Sequence, residues 1–284
     1  MCEGITSGTV LRRGDRFENY VIDDELGRGG SAIVYRAREA DGGRVVALKV
    51  LDPHHRSAAD LERLRREYEF AARLDHPRVV TMYGAGPGWL AMELLAGGPV
   101  SNLPRLADRL TALADVAAAL DHIHYRGVVH CDVKPANILS GEDFAGTGGV
   151  LTDFGVAHAV SEFIKPDAHT VSRRRVPVEA SLAYTAPELF GGRPPSAASD
   201  EYALACTAVE LVTGAPPFVA TTRMALIDQH LHRPPPALSR RFEWVPRAFD
   251  SVLARALAKL PDARYPTCTE FITLVRDALG TGPT

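Results

Sequence analysis

The hydrophobic pattern of this chain changes character at Ala96-Gly97-Gly98-Pro99, and that change limits the fold to two unlike parts. Before the break, short runs of alternating apolar and polar residues are separated by turn signals: 20–26, 31–38 and, after Asp41-Gly42-Gly43, 44–51. Alternation at period two between glycine turns predicts an antiparallel sheet. One helix interrupts it over 60–74, with Leu61, Leu64, Tyr68, Ala71 and Ala72 on its apolar side and His76-Pro77 as its stop. The apolar runs 79–83 and 89–95 complete a five-stranded set. Beyond the break the spacing turns helical over 103–124, 199–213, 249–259 and 268–279. The expected fold class is α+β and bilobal: a small, mainly antiparallel five-stranded lobe with one helix over 17–95, and a larger, mainly helical lobe over 96–280. Residues 1–16 and 281–284 read as tails.

At 284 residues the chain can build two packed cores. Hydrophobic residues at 46% and charged residues at 24% exclude a disordered chain, and a net charge of -3 gives no field favouring nucleic acid or anionic lipid. Cys2, Cys131, Cys206 and Cys268 lie far apart, with no C-x-x-C pair and no zinc-type spacing. They read as reduced thiols, with no structural metal. No apolar stretch approaches the roughly 20 residues of a membrane span, and 1–16 has no apolar signal core. The expectation is a cytoplasmic protein without a nucleic-acid partner. The loops 141–149 and 161–183 lack periodicity, and loops of that length inside compact domains tend to be functional or disordered.

The residues suited to chemistry fall in a definite order. Leu26-Gly27-Arg28-Gly29-Gly30-Ser31-Ala32-Ile33-Val34 places glycines at a turn between two strands, where backbone N–H groups can approach phosphate oxygens with no Cβ in the way. No helix follows, which argues against Rossmann and Walker loops, and by itself such a tip is equally a plain turn. Val46-Ala47-Leu48-Lys49 sets a lysine in an apolar strand, where an unpaired ammonium is costly; Glu67 on the next helix has the charge to meet it. Then comes His130-Cys131-Asp132-Val133-Lys134-Pro135-Ala136-Asn137, followed by Asp153-Phe154-Gly155. A carboxylate at Asp132 can accept the proton of an incoming hydroxyl, and Lys134 can neutralise charge on a phosphoryl group in transfer. Asn137 and Asp153 offer hard oxygens to Mg²⁺. Singly these residues are also a turn former, a helix cap or a solvated charge; in this order the plain readings do not hold together.

On these motifs the chain resembles a eukaryotic-type (Hanks-type) bacterial serine/threonine protein kinase domain, over roughly residues 20–279. The resemblance implies ATP with Mg²⁺, or Mn²⁺ in its place, and protein substrates with Ser or Thr acceptors. It assigns catalytic roles to Asp132, Lys134, Lys49 and Glu67, and metal ligation to Asn137 and Asp153. Around the nucleotide it places Leu26, Gly27, Gly29, Ala32, Val34, Ala47, Lys49, Met92, Glu93, Leu95 and Leu139. Ala186-Pro187-Glu188 matches the end of the activation segment, its glutamate pairing with Arg264. Asp200 matches the aspartate bracing the catalytic loop, and Lys134 two residues after the base is the serine/threonine signature. Monomer and homodimer both stay open.

Two positions depart from the family pattern. Ala32 replaces the third glycine of the phosphate loop, adding a methyl at its tip. Cys131 replaces the arginine that in most members clamps a phosphate on the activation segment, making this a non-RD loop; a thiol cannot make that charge-assisted contact. The expectation is activation without that clamp, with Thr170 and Ser172 as the residues to test; Arg173-Arg174-Arg175 reads first as a solvated loop, and alternatively as a cluster that holds a phosphate or an acidic partner. Two other functions compete: a pseudokinase acting as a nucleotide-binding scaffold, and a small-molecule kinase of the aminoglycoside-phosphotransferase kind. The full set Lys49, Glu67, Asp132, Asn137 and Asp153 weighs against the first, and Ala186-Pro187-Glu188 against the second.

Overall fold

The computed structural model describes residues 10–159 and 182–280. Thr170, Ser172 and Arg173-Arg174-Arg175 therefore lie outside the described residues. The described chain divides into two compact units, one of 10–75 with 79–96 and one of 76–78 with 97–280.

The first unit is a six-stranded antiparallel sheet in the order β1-β2-β3-β4-β6-β5, comprising β1 (Arg16–Phe17), β2 (Tyr20–Arg28), β3 (Ala32–Glu39), β4 (Val45–Leu51), β5 (Met82–Gly86) and β6 (Trp89–Glu93). Five of these are the strands the pattern predicts; the sixth is the two-residue β1, at the end of the expected tail. That tail is in part a correction: Leu11 is buried in the same cluster as Tyr20, Ile22, Tyr35 and Leu48, with Val10 packed against it. An apolar pair among arginines and glycines shows no periodicity, so its burial was not legible locally. The helix α1 (Ala58–Ala71) starts on a capping box in which Ser57 and Asp60 satisfy each other's backbone N–H groups. Its buried face is Leu64, Glu67 and Ala71, whereas Leu61 and Ala72 are exposed, contrary to the apolar face read from the sequence.

In the second unit β7 (Gly98–Pro99) leads to α2 (Leu106–Tyr125), then β8 (Val128–Val129), β9 (Ile138–Ser140), the one-turn α3 (Phe144–Thr147), β10 (Val150–Leu151) and β11 (His158–Ala159). After the undescribed stretch come α4 (Pro187–Phe190), α5 (Ala197–Thr213), α6 (Arg223–His232), α7 (Arg247–Ala256) and α8 (Cys268–Ala278). The helix α5 is buried nearly all round, as a core helix must be, and Gly214 ends it at φ +84°. Its neighbours α2 and α8 add Leu113, Leu120, Phe271 and Val275 to the core, and α7 adds Phe249 and Leu253. The helix α6, begun by the Thr222 cap, has no match among the sequence-derived helices. Residues 76–78 belong here because Arg78 is tied down on both sides: its Nε lies 3.1 Å from Asp115 and its carbonyl accepts Leu151 N–H at 2.9 Å.

Candidate active site

The register of the first sheet explains why its sequence motifs belong together. Gly27 lies opposite Val34, Val34 opposite Lys49, and Lys49 opposite Leu90; the next row runs Arg36, Ala47, Met92. Opposed residues share a face, so Ala32, Val34, Ala47, Lys49 and Met92 all project to one side. Their alternates Ile33, Tyr35, Val46, Leu48 and Val50 fill the cluster on the other. Leu64 of α1 packs on the lysine's side with Ala32, Leu51 and Leu90. Glu67, one turn after Leu64, is thereby buried at 2% exposure on an apolar helix face. It is satisfied there by Lys49, whose Nζ donates to both carboxylate oxygens at 2.8 Å.

Leu26 falls at a register shift between Glu25 and Gly27, which leaves it out of the ladder and half exposed. Gly29 N–H donates to Ala32 carbonyl at 2.8 Å, closing the turn. A Cβ built at Gly27 or Gly30 would meet nothing within 4 Å, and neither residue has a left-handed φ. Neither folding nor packing of the free protein therefore demands glycine there; what the missing Cβ leaves is open space over the turn, which fits close approach by a phosphate group. Ala32 corrects an expectation, since its methyl is not at the tip but 4% exposed in the core with Leu51, Leu64 and Leu90. Glu93 donates its backbone N–H to Thr81 carbonyl at 2.9 Å, and Leu95, just past the strand, is buried.

In the second unit Asp132 occupies the loop between β8 and β9. Its Oδ2 accepts Lys134 Nζ at 2.7 Å and Asn137 Nδ2 at 2.9 Å, which holds the carboxylate in one orientation. Asn137 spends its other amide hydrogen on Asp132 carbonyl at 2.8 Å, so Oδ1 is its remaining acceptor. Asp153 is tethered alongside through its neighbour: Thr152 donates both N–H (2.9 Å) and Oγ1–H (3.2 Å) to Asn137 carbonyl. A carboxylate and an amide oxygen are hard donors of the kind Mg²⁺ and Mn²⁺ prefer, and the set fits a divalent cation. Leu139 lies on β9, half-buried between Val150 and Pro99.

The loop is strained and braced. Cys131 and Asp153 adopt left-handed backbone at φ +67° and +64°, at a cost on the order of 1–3 kcal/mol each. Buried Asp200 offsets this, taking His130 N–H on Oδ2 and Cys131 N–H on Oδ1, both at 2.8 Å, with His124 Nε2 at 2.7 Å on Oδ2. Glu188 and Arg264 form a two-pronged pair at 2.8 and 2.9 Å, with Ser199 Oγ donating to the same carboxylate.

The protein kinase domain family matches residues 20–273. This chain belongs to that family. Among curated relatives, serine/threonine-protein kinase PknJ of Mycobacterium tuberculosis is 38% identical over 96% of this chain and 48% of its own length. PknF of the same organism is 35% identical over 95% of this chain and 58% of its own. The chain thus spans about half the length of these curated relatives. The crystal structure of the Mycobacterium tuberculosis PknI kinase domain superposes with a TM-score of 0.70 at 31% identity, covering 95% of this chain and all of that one.

One residue of this kinase domain escaped the sequence reading of the site. His130, fully buried, receives Asp132 N–H on Nδ1 at 3.2 Å and gives Nε2–H to Thr152 carbonyl at 3.1 Å, which fixes its tautomer. Its ring stands edge-on to Phe154 at 4.8 Å, so one imidazole ties the Asp132 segment to the Asp153 segment. The only local signal was a histidine two residues before the aspartate, and the partners that carry it to the second segment, Thr152 and Phe154, lie more than 20 residues on.

Proposed function

We propose that this chain is a serine/threonine protein kinase that transfers the γ-phosphoryl group of ATP to Ser or Thr hydroxyls of protein substrates, itself included. The supporting observation is the Asp132 carboxylate, fixed by Lys134 and Asn137 on a loop held by Asp200. In this reading residues 17–95 bind ATP and 96–280 carry the chemistry. Leu26, Val34, Ala47, Met92 and Leu139 contact the base, with Glu93 and Leu95 offering backbone groups. Gly27 and Gly29 admit the phosphates, and Lys49, oriented by Glu67, holds them. Asp132 orients the acceptor hydroxyl and takes its proton through the carboxylate, while Lys134 offsets charge on the transferred group. Asn137 and Asp153 would hold the divalent cation, which neutralises phosphate charge when bound.

With Cys131 in place of arginine, the loop is of the non-RD kind, and its order comes from Asp200 rather than from a phosphate. The test is transfer of labelled phosphate from Mg-ATP to the protein itself and to a basic protein substrate, in wild type and Asp132→Asn, with phosphoamino-acid analysis. Label on Ser or Thr that falls by about 100-fold or more in the variant supports the reading. ATP binding with no transfer overturns it in favour of a nucleotide-binding scaffold. Persisting activity in Thr170→Ala/Ser172→Ala supports clamp-free activation; its loss refutes it.

A further inference from the structure

Three side chains of different kinds converge at His124, which shares Asp200 with the catalytic loop. Asp121 and His124 sit three residues apart on α2, hence on one face of that helix, and Cys268 is the first residue of α8. One donor atom from each lies within 4.8 Å of the other two. We propose that Asp121, His124 and Cys268 bind one thiophilic divalent cation of the zinc class.

The argument turns on how each donor is held. His124 Nε2 lies 2.7 Å from Asp200 Oδ2, so the imidazole donates to a carboxylate through one nitrogen. Metal-bound histidines are commonly oriented in this way by a carboxylate on their other nitrogen. Among the described residues nothing hydrogen-bonds His124 Nδ1. Asp121 accepts Cys268 N–H at 2.8 Å and Thr269 N–H at 2.9 Å, one on each oxygen, and also hydrogen-bonds the Cys268 side chain, which fixes the carboxylate beside the thiol. Cys268 is 2% exposed, while Asp121 and His124 reach solvent and give an ion its route in. Tetrahedral zinc sets its donors about 3.5 Å apart, so closing the site takes side-chain movement of about 1 Å, with water as fourth ligand. Helix capping by Asp121 brings Cys268 beside the carboxylate; it does not account for the imidazole of His124 lying within reach of both.

Binding exchanges one proton for one bond: the Cys268 S–H breaks, its proton passes to solvent, and the thiolate sulfur bonds the cation with no change of oxidation state. Burial, with the Asp121 charge beside it, holds that proton on the free thiol, so affinity rises with pH. Occupied, the site joins α2 to α8 and polarises His124 toward Asp200.

Cobalt(II) is the probe. Titrated into reduced, metal-free protein, it gives a near-ultraviolet thiolate charge-transfer band saturating at one ion per chain, and Zn²⁺ bleaches it. The band is lost in Cys268→Ala, weakened in Asp121→Asn and retained in Cys131→Ser. Excess Zn²⁺ raises the melting temperature of wild type but not of Cys268→Ala. Circular dichroism of the metal-free variants establishes that they are folded. No thiolate band in wild type, or a band that survives Cys268→Ala or vanishes in Cys131→Ser, overturns the proposal, and the wild-type result stands whether or not a variant folds.

Discussion

Each unit holds a buried glutamate paired with a cation, Glu67 with Lys49 and Glu188 with Arg264, and the two pairs are built to different ends. In the second unit the Arg264 side chain is 0% exposed and Glu188 3%. The guanidinium also donates to the carbonyls of Ala198 and Ala258, and Ser199 adds a hydroxyl to the glutamate. In the first unit Glu67 is as deeply buried, but Lys49 keeps 17% of its side chain in solvent and presents a compact ammonium rather than a rigid fork. One pair is sealed on both sides; the other is partly exposed on its cationic side. The sealed pair locks α4 to the end of the helical core, whereas the other keeps its ammonium in partial contact with water.

The largest effect separating them is on stability. Arg264→Ala strands a buried carboxylate and should cost about 3–5 kcal/mol, lowering the melting temperature by roughly 10 °C. Lys49→Met also strands a buried carboxylate, but beside a position that water already reaches, so it should cost less than Arg264→Ala, about 2–3 kcal/mol, yet reduce phosphoryl transfer about 100-fold or more. Thermal melts and transfer assays on the same preparations check both. Equal melting losses for the two variants would break the sealed-versus-exposed distinction.

A smaller effect sharpens it through pH. Burial opposes ionisation of Glu188, but the Arg264 hydrogen bonds and charge, with Ser199, win and set its pKa below the ordinary value. The stability it supplies is present above the unfolded value and lost as pH falls through the folded one, so Glu188→Gln should flatten the acid side of a melting-temperature profile. Glu201, nearby on α5, has the Tyr265 N–H as a backbone donor, and burial pushes it up to about 8. The sign reverses: its contribution is full below the unfolded value near 4.5 and declines as pH rises toward 8, so Glu201→Gln should remove a downward slope between those values. A variant profile parallel to wild type over that range would contradict the assignment.

The smallest expected change is Gly27→Ala. With nothing within 4 Å of the added methyl, the free protein should hold its stability or gain about 0.4–1 kcal/mol, while KM for ATP rises. A lowered KM would mean that the open space over the turn is not where phosphates approach.

Most of the fold and much of the site were legible because their signals are short-range. Alternation at period two, glycine turns and the Ser57 cap each act within a few residues, and the order of Lys49, Glu67, Asp132, Asn137 and Asp153 needs no coordinates. What escaped was decided at a distance. Leu11 gains its burial from strands that begin further along the chain. The helix α6 has weak amphipathic contrast and packs through His230, a residue that no hydrophobic template marks as core. The Ala32 methyl belongs to the core because the register sets it opposite Leu51 and over α1.

By itself the sequence determined the two-part architecture, the family and the inventory of reactive groups, since these depend on residue type, period and order. The pairing of Glu67 with Lys49 and the bracing by Asp200 were legible from the motifs, whereas only the tertiary structure decided His130 between Asp132 and Thr152, the strained backbone of Cys131, and Asp121, His124 and Cys268 around one point. The reason is physical. A hydrogen bond or ion pair is specified to a few tenths of an ångström, and no local periodicity fixes the distance between residues separated by 147 positions, as Asp121 is from Cys268.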